Sequence, residues 1–196
     1  MHPYATDSDE RRLIPFLLAG LAMVGAWAAG PLLGWVHVQM PWWLQAPSAL
    51  GLYGTLYEVF DRTVWRWTLF NRIGLVKLPN LNGRWLGRVT TSFDEHASSH
   101  PVHVNIRQTW TKLCIELDGK DSRSHSLVAG LVVQDSPVPV LSYQYLNEPQ
   151  PDATPTMAMH YGTALLRLVT MTSLEGQYYS GRGRGTFGSI GLSKTA

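Results

Sequence analysis

From Leu13 to Tyr57 the chain carries no Asp, Glu, Lys or Arg. Such a stretch exceeds one membrane crossing, for which about 20 helical residues suffice. It must break, and His37, Gln39, Pro41 and the Trp42, Trp43 pair supply polar groups, a helix stop and rings that favour the lipid headgroup boundary. The expectation is a hairpin of two transmembrane helices, Leu13–Trp35 and Leu44–Trp65, joined by a very short connection.

Cations near span ends stay on the cytoplasmic side. Arg11 and Arg12 precede the first span, Arg62, Arg66, Arg72 and Lys77 follow the second, and the connection has none. Both termini are therefore expected inside an inner (cytoplasmic) membrane, with Trp65 and Trp67 marking its inner boundary. Two readings compete. Arg11 and Arg12 before an apolar run resemble a secretion signal with a cleavage site near Ala26-Trp27-Ala28, but a signal core is short and needs no second apolar run. A soluble buried hairpin would need more protein around it than this chain offers. Within the first span Ala22, Ala26, Gly30 and Gly34 form a ridge of small residues suited to helix packing, against Gly51 and Thr55 or against another copy. Pro31 should bend the helix at that level.

After Lys77 the texture changes. Residues 1–77 read as the hairpin with its juxtamembrane segment, and residues 78–196 as a cytoplasmic β-domain. Pro79, Asn80, Asn82 and Gly83 punctuate the junction, and short runs rich in Val, Ile, Thr, Trp and Tyr follow. Strands are expected over Arg84–Phe93, His103–Leu117, His125–Val133, Val140–Leu146, His160–Met171, Leu174–Ser180 and Phe187–Leu192. That makes seven, or eight if the longest bends. Helical periodicity is scarce here, so an antiparallel meander closed into a small barrel fits best. The apolar phase of the longest run switches near Thr111, which calls for a bulge or sharp bend. If Val104 and Ile106 point inward, so do Gln108 and Trp110, and buried polar groups need partners. Tyr143 and Tyr145 share one face, whereas the face of His160 is ambiguous because Leu165 and Leu166 lie on opposite sides.

Catalytic signatures are missing. There is no phosphate-binding Gly-x-x-x-x-Gly-Lys segment and no serine nucleophile elbow, and Gly181–Gly185 reads as a hairpin tip. Cys114 is the one cysteine, the histidines lack metal spacing, and 16 Lys and Arg against 14 Asp and Glu give no polyelectrolyte signal for polymeric nucleic acid. No enzymatic activity, metal or cofactor is expected.

The order of features carries more than any one of them. Two spans precede Leu81-Asn82-Gly83-Arg84-Trp85-x-Gly87, then Ile106-x-Gln108-x-Trp110 and the series Ser122, Ser124, Ser126. Tyr143-x-Tyr145-x-Asn147-x-Pro149, His160-x-Gly162-Thr163 and Leu174-x-Gly176-x-Tyr178 follow. Together they resemble the two-transmembrane, β-strand-rich effectors of the CD-NTase-associated protein fifteen type, which serve cyclic-oligonucleotide-based antiphage signalling systems (CBASS). The resemblance implies a bacterial defence effector whose barrel binds a cyclic dinucleotide made by a cognate nucleotidyltransferase. It further implies ligand-driven self-association in the membrane and lethal disruption of the bilayer. On that reading Trp110, Tyr143, Tyr145 and Tyr178 are candidates to stack bases, Gln108 and Asn147 to read their edges, and Arg107 or Arg182 to meet a phosphate. Gln108, Trp110 and Tyr145 form the expected centre, and alternation sets Arg107 on the opposite face. Barrel packing is the competing role for each residue, and a membrane-tethered, lipocalin-like carrier of an apolar ligand is the competing function.

Overall fold

The computed structural model describes residues 1–35, 42–154, 157–182 and 184–195, and these separate into two compact units. One comprises Asp9–Lys77, the other Met1–Ser8 together with Leu78–Ala196. The first eight residues, expected with the hairpin, thus belong to the β-domain.

In the first unit α1 spans Glu10–Trp35 and α2 spans Trp42–Arg62. The Asp9 carbonyl accepts the amides of Arg12 and Leu13 at 2.9 and 3.2 Å, opening α1. The Glu10 carboxylate takes the Lys77 amide at 2.5 Å. Phe16, Leu21, Met23, Val24 and Trp27 are exposed along α1, an outward apolar surface of the kind lipid covers. Ala22 of the expected ridge is buried. A close approach falls beside the ridge, at Gly25, where a Cβ would stand 2.8 Å from Leu52 Cδ2. Of Gly30 and Gly34 the helical backbone alone is described, and His37, Gln39 and Pro41 lie outside the described residues.

Among the described residues one helix, over Glu10–Ala29, is long and apolar enough to cross a membrane. The second expected span does not reach that standard. Its helix carries Gln45 and Ser48 early and ends in Glu58, Asp61 and Arg62, with Glu58 and Arg62 ion-paired at 2.5 Å. Beyond it lies a short helix α3, Thr68–Arg72.

The second unit is a closed barrel. Its strands are β1 (His2–Thr6), β2 (Gly83–Val89), β3 (His100–Gln108), β4 (Lys112–Asp118), β5 (Ser122–Val132), β6 (Val140–Pro149), β7 (His160–Thr170), β8 (Ser173–Ser180) and β9 (Phe187–Lys194). Among the described residues nine strands replace the expected seven or eight, for two reasons. The phase switch at Thr111 is a chain reversal rather than a bulge. Gln108 pairs with Leu113, and the Thr109 amide donates to the Lys112 carbonyl at 2.8 Å. The ninth strand is β1, from the far end of the sequence.

Around the barrel the order is β1-β4-β3-β2-β9-β8-β7-β6-β5. β4 and β5 pair with each other over Glu116–Asp118 and Arg123–His125 and then diverge, and β1 fills the gap. His2 and Pro3 run antiparallel to Leu113 and Lys112, while Tyr4, Ala5 and Thr6 run parallel to Ala129, Gly130 and Leu131. A bulge between Ser126 and Val128 bends β5 where this pairing starts. The Asp7 carboxylate anchors the far side of β1 by accepting the amides of Val133, Gln134 and Asp135, each at 2.8 Å. Trp85, Trp110, Leu113, Leu141 and Leu166 are fully buried inside, each contributing about 2–3 kcal/mol of apolar burial.

Candidate functional site

Inward-facing side chains taper along the barrel. On β7 the inward set runs Leu168, Leu166, Ala164, Gly162, His160, and on β6 it runs Leu141, Tyr143, Tyr145, Asn147. Large aliphatic groups fill one end. Small and polar groups at the other leave a cavity of about 410 Å³, within the range of about 300–1,000 Å³ usual for small-molecule sites. Its mouth lies where the β2–β3, β4–β5, β6–β7 and β8–β9 connections gather, because the lining residues come from those ends of the strands.

Tyr143 and Tyr145 stand in the wall with ring centroids 6.1 Å apart and planes tilted by 54°. Tyr178 and Ser180 join them from β8, and Asn147 and His160 close the side nearer the mouth. Burial raises the pKa of both phenols, Tyr143 strongly and Tyr145 to about 12, so both are neutral hydrogen-bonding groups. Among the described residues no protein group hydrogen-bonds the Tyr143 hydroxyl. Burial also lowers the His160 pKa below its ordinary value, with the Arg184 charge adding to the effect and the Ala158 carbonyl, 2.8 Å from Nδ1, opposing it. The Asn147 amide donates to Met157 Sδ at 3.3 Å. Phe93, Lys120 and Arg184 border the mouth, and the Arg184 guanidinium lies 5.3 Å from the centre of the Phe93 ring.

Four of the sequence-derived candidates, Tyr143, Tyr145, Tyr178 and Asn147, are therefore brought together, and four are not. Gln108 does point inward, but at the opposite end of the barrel. There Oε1 accepts the Leu81 amide at 2.8 Å, and Nε2 donates to the Pro79 carbonyl at 3.2 Å and to Tyr4 Oη at 3.4 Å. Trp110 is buried in the β3–β4 turn, its carbonyl accepting the Tyr4 hydroxyl at 2.9 Å. Arg107 faces outward and pairs with Glu116 at 2.6 Å. Arg182 is exposed in the β8–β9 turn and does not line the cavity.

Sequence reasoning missed His160, Ser124, Lys120 and Arg184. The Gly162, Ala164, Leu166 alternation carried the signal for His160. Ser124 was visible in the serine series, whose next member, Ser126, is instead structural, accepting the Ile115 amide at 2.9 Å and meeting His2 Nε2 at 2.8 Å. Lys120 and Arg184 sit in turns, where no alternation operates.

This arrangement can pack a planar ring against a neutral phenol, hydrogen-bond its edge through Asn147, Ser124 and Tyr143, and meet an anion at the mouth. Among the described residues no group of three His, Cys, Asp or Glu side chains is placed to hold a metal.

A family model described as Cap15, cyclic dinucleotide receptor domain, matches residues 76–194. A protein of Yersinia aleksiciae named CD-NTase-associated protein 15 is 32% identical over 148 residues, 75% of this chain and 69% of the relative. One of the same name from Staphylococcus schleiferi is 26% identical over 135 residues, 69% of this chain and 70% of the relative. A barrel with a ligand-sized cavity, preceded by an apolar helix and matched over most of its length, thus leads to one assignment: the chain belongs to the Cap15 family of CBASS effectors, and residues 76–194 are its cyclic dinucleotide receptor domain.

Proposed function

We propose that the barrel holds a cyclic dinucleotide in the cavity lined by Tyr143, Tyr145, Tyr178 and Asn147, with Arg184 and Lys120 meeting its phosphates. The observation that carries this reading is the convergence of neutral aromatic rings, an amide and cations on one cavity of about 410 Å³. Stacking faces, edge readers and phosphate partners are what such a ligand requires. Residues 9–77 act as the membrane anchor of a bacterial inner membrane protein. Both helices enter the bilayer and both termini are cytoplasmic, in keeping with the cations at Arg11, Arg12, Arg62 and Arg66. Ligand binding drives self-association of the anchored protomers, and the clustered helices disrupt the membrane and end the infection with the cell. The cyclic dinucleotide is the activating ligand, supplied by a partner nucleotidyltransferase, and no chemistry is performed on it.

A ligand that favours the assembled state about 100-fold contributes roughly 2.7 kcal/mol per protomer. Confinement to a plane raises the effective concentration further, so modest contacts suffice. The test is calorimetric titration of the full-length protein in detergent micelles with cyclic di-AMP, cyclic di-GMP and cyclic di-UMP, followed by sedimentation with and without ligand. Saturable binding, weakened in Asn147→Ala and accompanied by larger assemblies, is the expected result. Absence of binding to all three, with uptake of a fluorescent fatty acid, would move the assignment to an apolar-ligand carrier.

A further inference from the structure

Single exposed apolar residues are ordinary on protein surfaces, but Phe93 is exposed in an unusually fixed position. It is 63% accessible and borders the cavity mouth. Its amide donates to Thr91 Oγ1 at 3.2 Å, the preceding Ser92 Oγ accepts the Phe187 amide at 3.1 Å, and the following Asp94 pairs with His100 at 3.1 Å. Glu95 and His96 come next with φ of 54° and 62°. Two consecutive left-handed residues without a glycine are strained, and such strain gathers where a loop must hold a particular group in place. What the loop holds out is an aromatic face, and the Arg184 guanidinium covers it at 5.3 Å.

We propose that Phe93 is the outer stacking platform of the cavity and that Arg184 keeps its place until a ligand arrives. A phosphodiester of the bound cyclic dinucleotide takes the guanidinium, and the base nearest the mouth takes the ring face. This rests on the cyclic dinucleotide reading and adds to it a binding residue and an order of exchange. Both partners gain. A guanidinium and a phosphate form paired, charge-assisted hydrogen bonds, stronger than an exposed cation over a benzene ring, while a nucleobase covers more of that ring than the cation does. No bond is made or broken in the exchange, so it is reversible on ligand release.

Full-length protein in detergent micelles is titrated with cyclic di-AMP, cyclic di-GMP and cyclic di-UMP, using the wild type, Phe93→Leu and Phe93→Trp. Phe93→Leu keeps apolar bulk but has no ring face, and its affinity should fall about 10-fold, while Phe93→Trp binds at least as tightly as the wild type. Thermal melts of the free proteins establish that each variant is folded. In parallel, ¹³C-phenylalanine NMR of the wild type, with the Phe93 signal assigned by its loss in Phe93→Leu, should show that ring shifting upfield at saturation. A wild type that binds none of the three ligands overturns both the cavity reading and this one. Binding by the wild type, with Phe93→Leu at equal affinity and no movement of the ring signal, overturns the stacking platform alone. Should Phe93→Leu fail to fold, Phe93→Trp assigns the ring signal and the upfield shift decides.

Discussion

The phenol of Tyr145 lies across the bare Cα of Gly162, its partner on the neighbouring strand, so closely that a methyl group there would stand 2.3 Å from both Cζ and Oη of the ring. The glycine sets where the ring sits, and the ring forms part of the cavity wall. Gly162→Ala must push Tyr145 into the cavity or spread β6 from β7. Overpacking of this kind costs about 1–3 kcal/mol. A lowered melting temperature together with loss of cyclic dinucleotide binding is expected, whereas the same change at Gly191, where an added Cβ would meet no atom within 4 Å, should leave binding intact.

Tyr143→Phe should separate binding from folding. The hydroxyl it removes belongs to a cavity-lining ring and has no protein partner among the described residues, so the free protein loses no hydrogen bond and its melting temperature holds or rises. Affinity for the ligand should drop several-fold, about 1 kcal/mol for one hydrogen bond. Equal affinity in the variant would remove Tyr143 from the polar contacts.

Gln108→Leu should do the reverse. It strips the Leu81 amide and the Pro79 carbonyl of their buried partners, at about 1–3 kcal/mol for each group left unpaired. Denaturant unfolding should report that loss. Ligand affinity measured below the unfolding transition should match the wild type, because the amide sits at the end of the barrel away from the mouth.

Stability should also depend on pH through His160. Its folded pKa lies below the value near 6.5 of the unfolded chain because burial disfavours the imidazolium. Above that value both states are neutral and the stability is fully present. As pH falls through 6.5 the unfolded state takes up a proton that the folded state refuses, so stability declines until the folded pKa is reached. Chemical unfolding between pH 8 and pH 5 should show this fall, and His160→Gln should flatten it.

Alternation read the faces of the strands well and their depth poorly. It set Gln108 inward and Arg107 outward, as the structure does, yet an inward residue in a closed barrel can lie at either end. The end is fixed by where the chain turns, and the reversal at Thr109–Lys112 sends Gln108 and Trp110 away from the cavity. Tyr143, Tyr145 and Asn147 were legible because one unbroken strand carries all three from the middle of the barrel to its mouth. Arg184 was not, since a tight turn imposes no parity, and Arg182 two residues earlier had an equal claim. β1 was illegible for another reason. Five residues, His-Pro-Tyr-Ala-Thr, show no alternation, and their partners are specified by the gap that β4 and β5 leave.

Deletion of residues 2–8 should therefore damage the barrel more than so short a segment suggests. It uncovers the β4–β5 seam and takes Tyr4 from Gln108 and Asp7 from three amides. Hydrogen exchange in the deleted protein should rise at Leu113 and at residues 129–135, while β7, β8 and β9 remain protected. Uniform exchange identical to the full chain would mean that the seam closes without β1.

The position of that strand also dictates how the molecule is made. Tyr4 leaves the ribosome ahead of α1 and α2, but Trp110, whose carbonyl it binds, follows 106 positions later, and the β5 partners later still. Nascent β1 must wait, unpaired, while α1, α2 and the strands before its partners are synthesised. Contacts so distant in sequence form slowly, so final sealing of the receptor is postponed until both helices and the strands after them have been made.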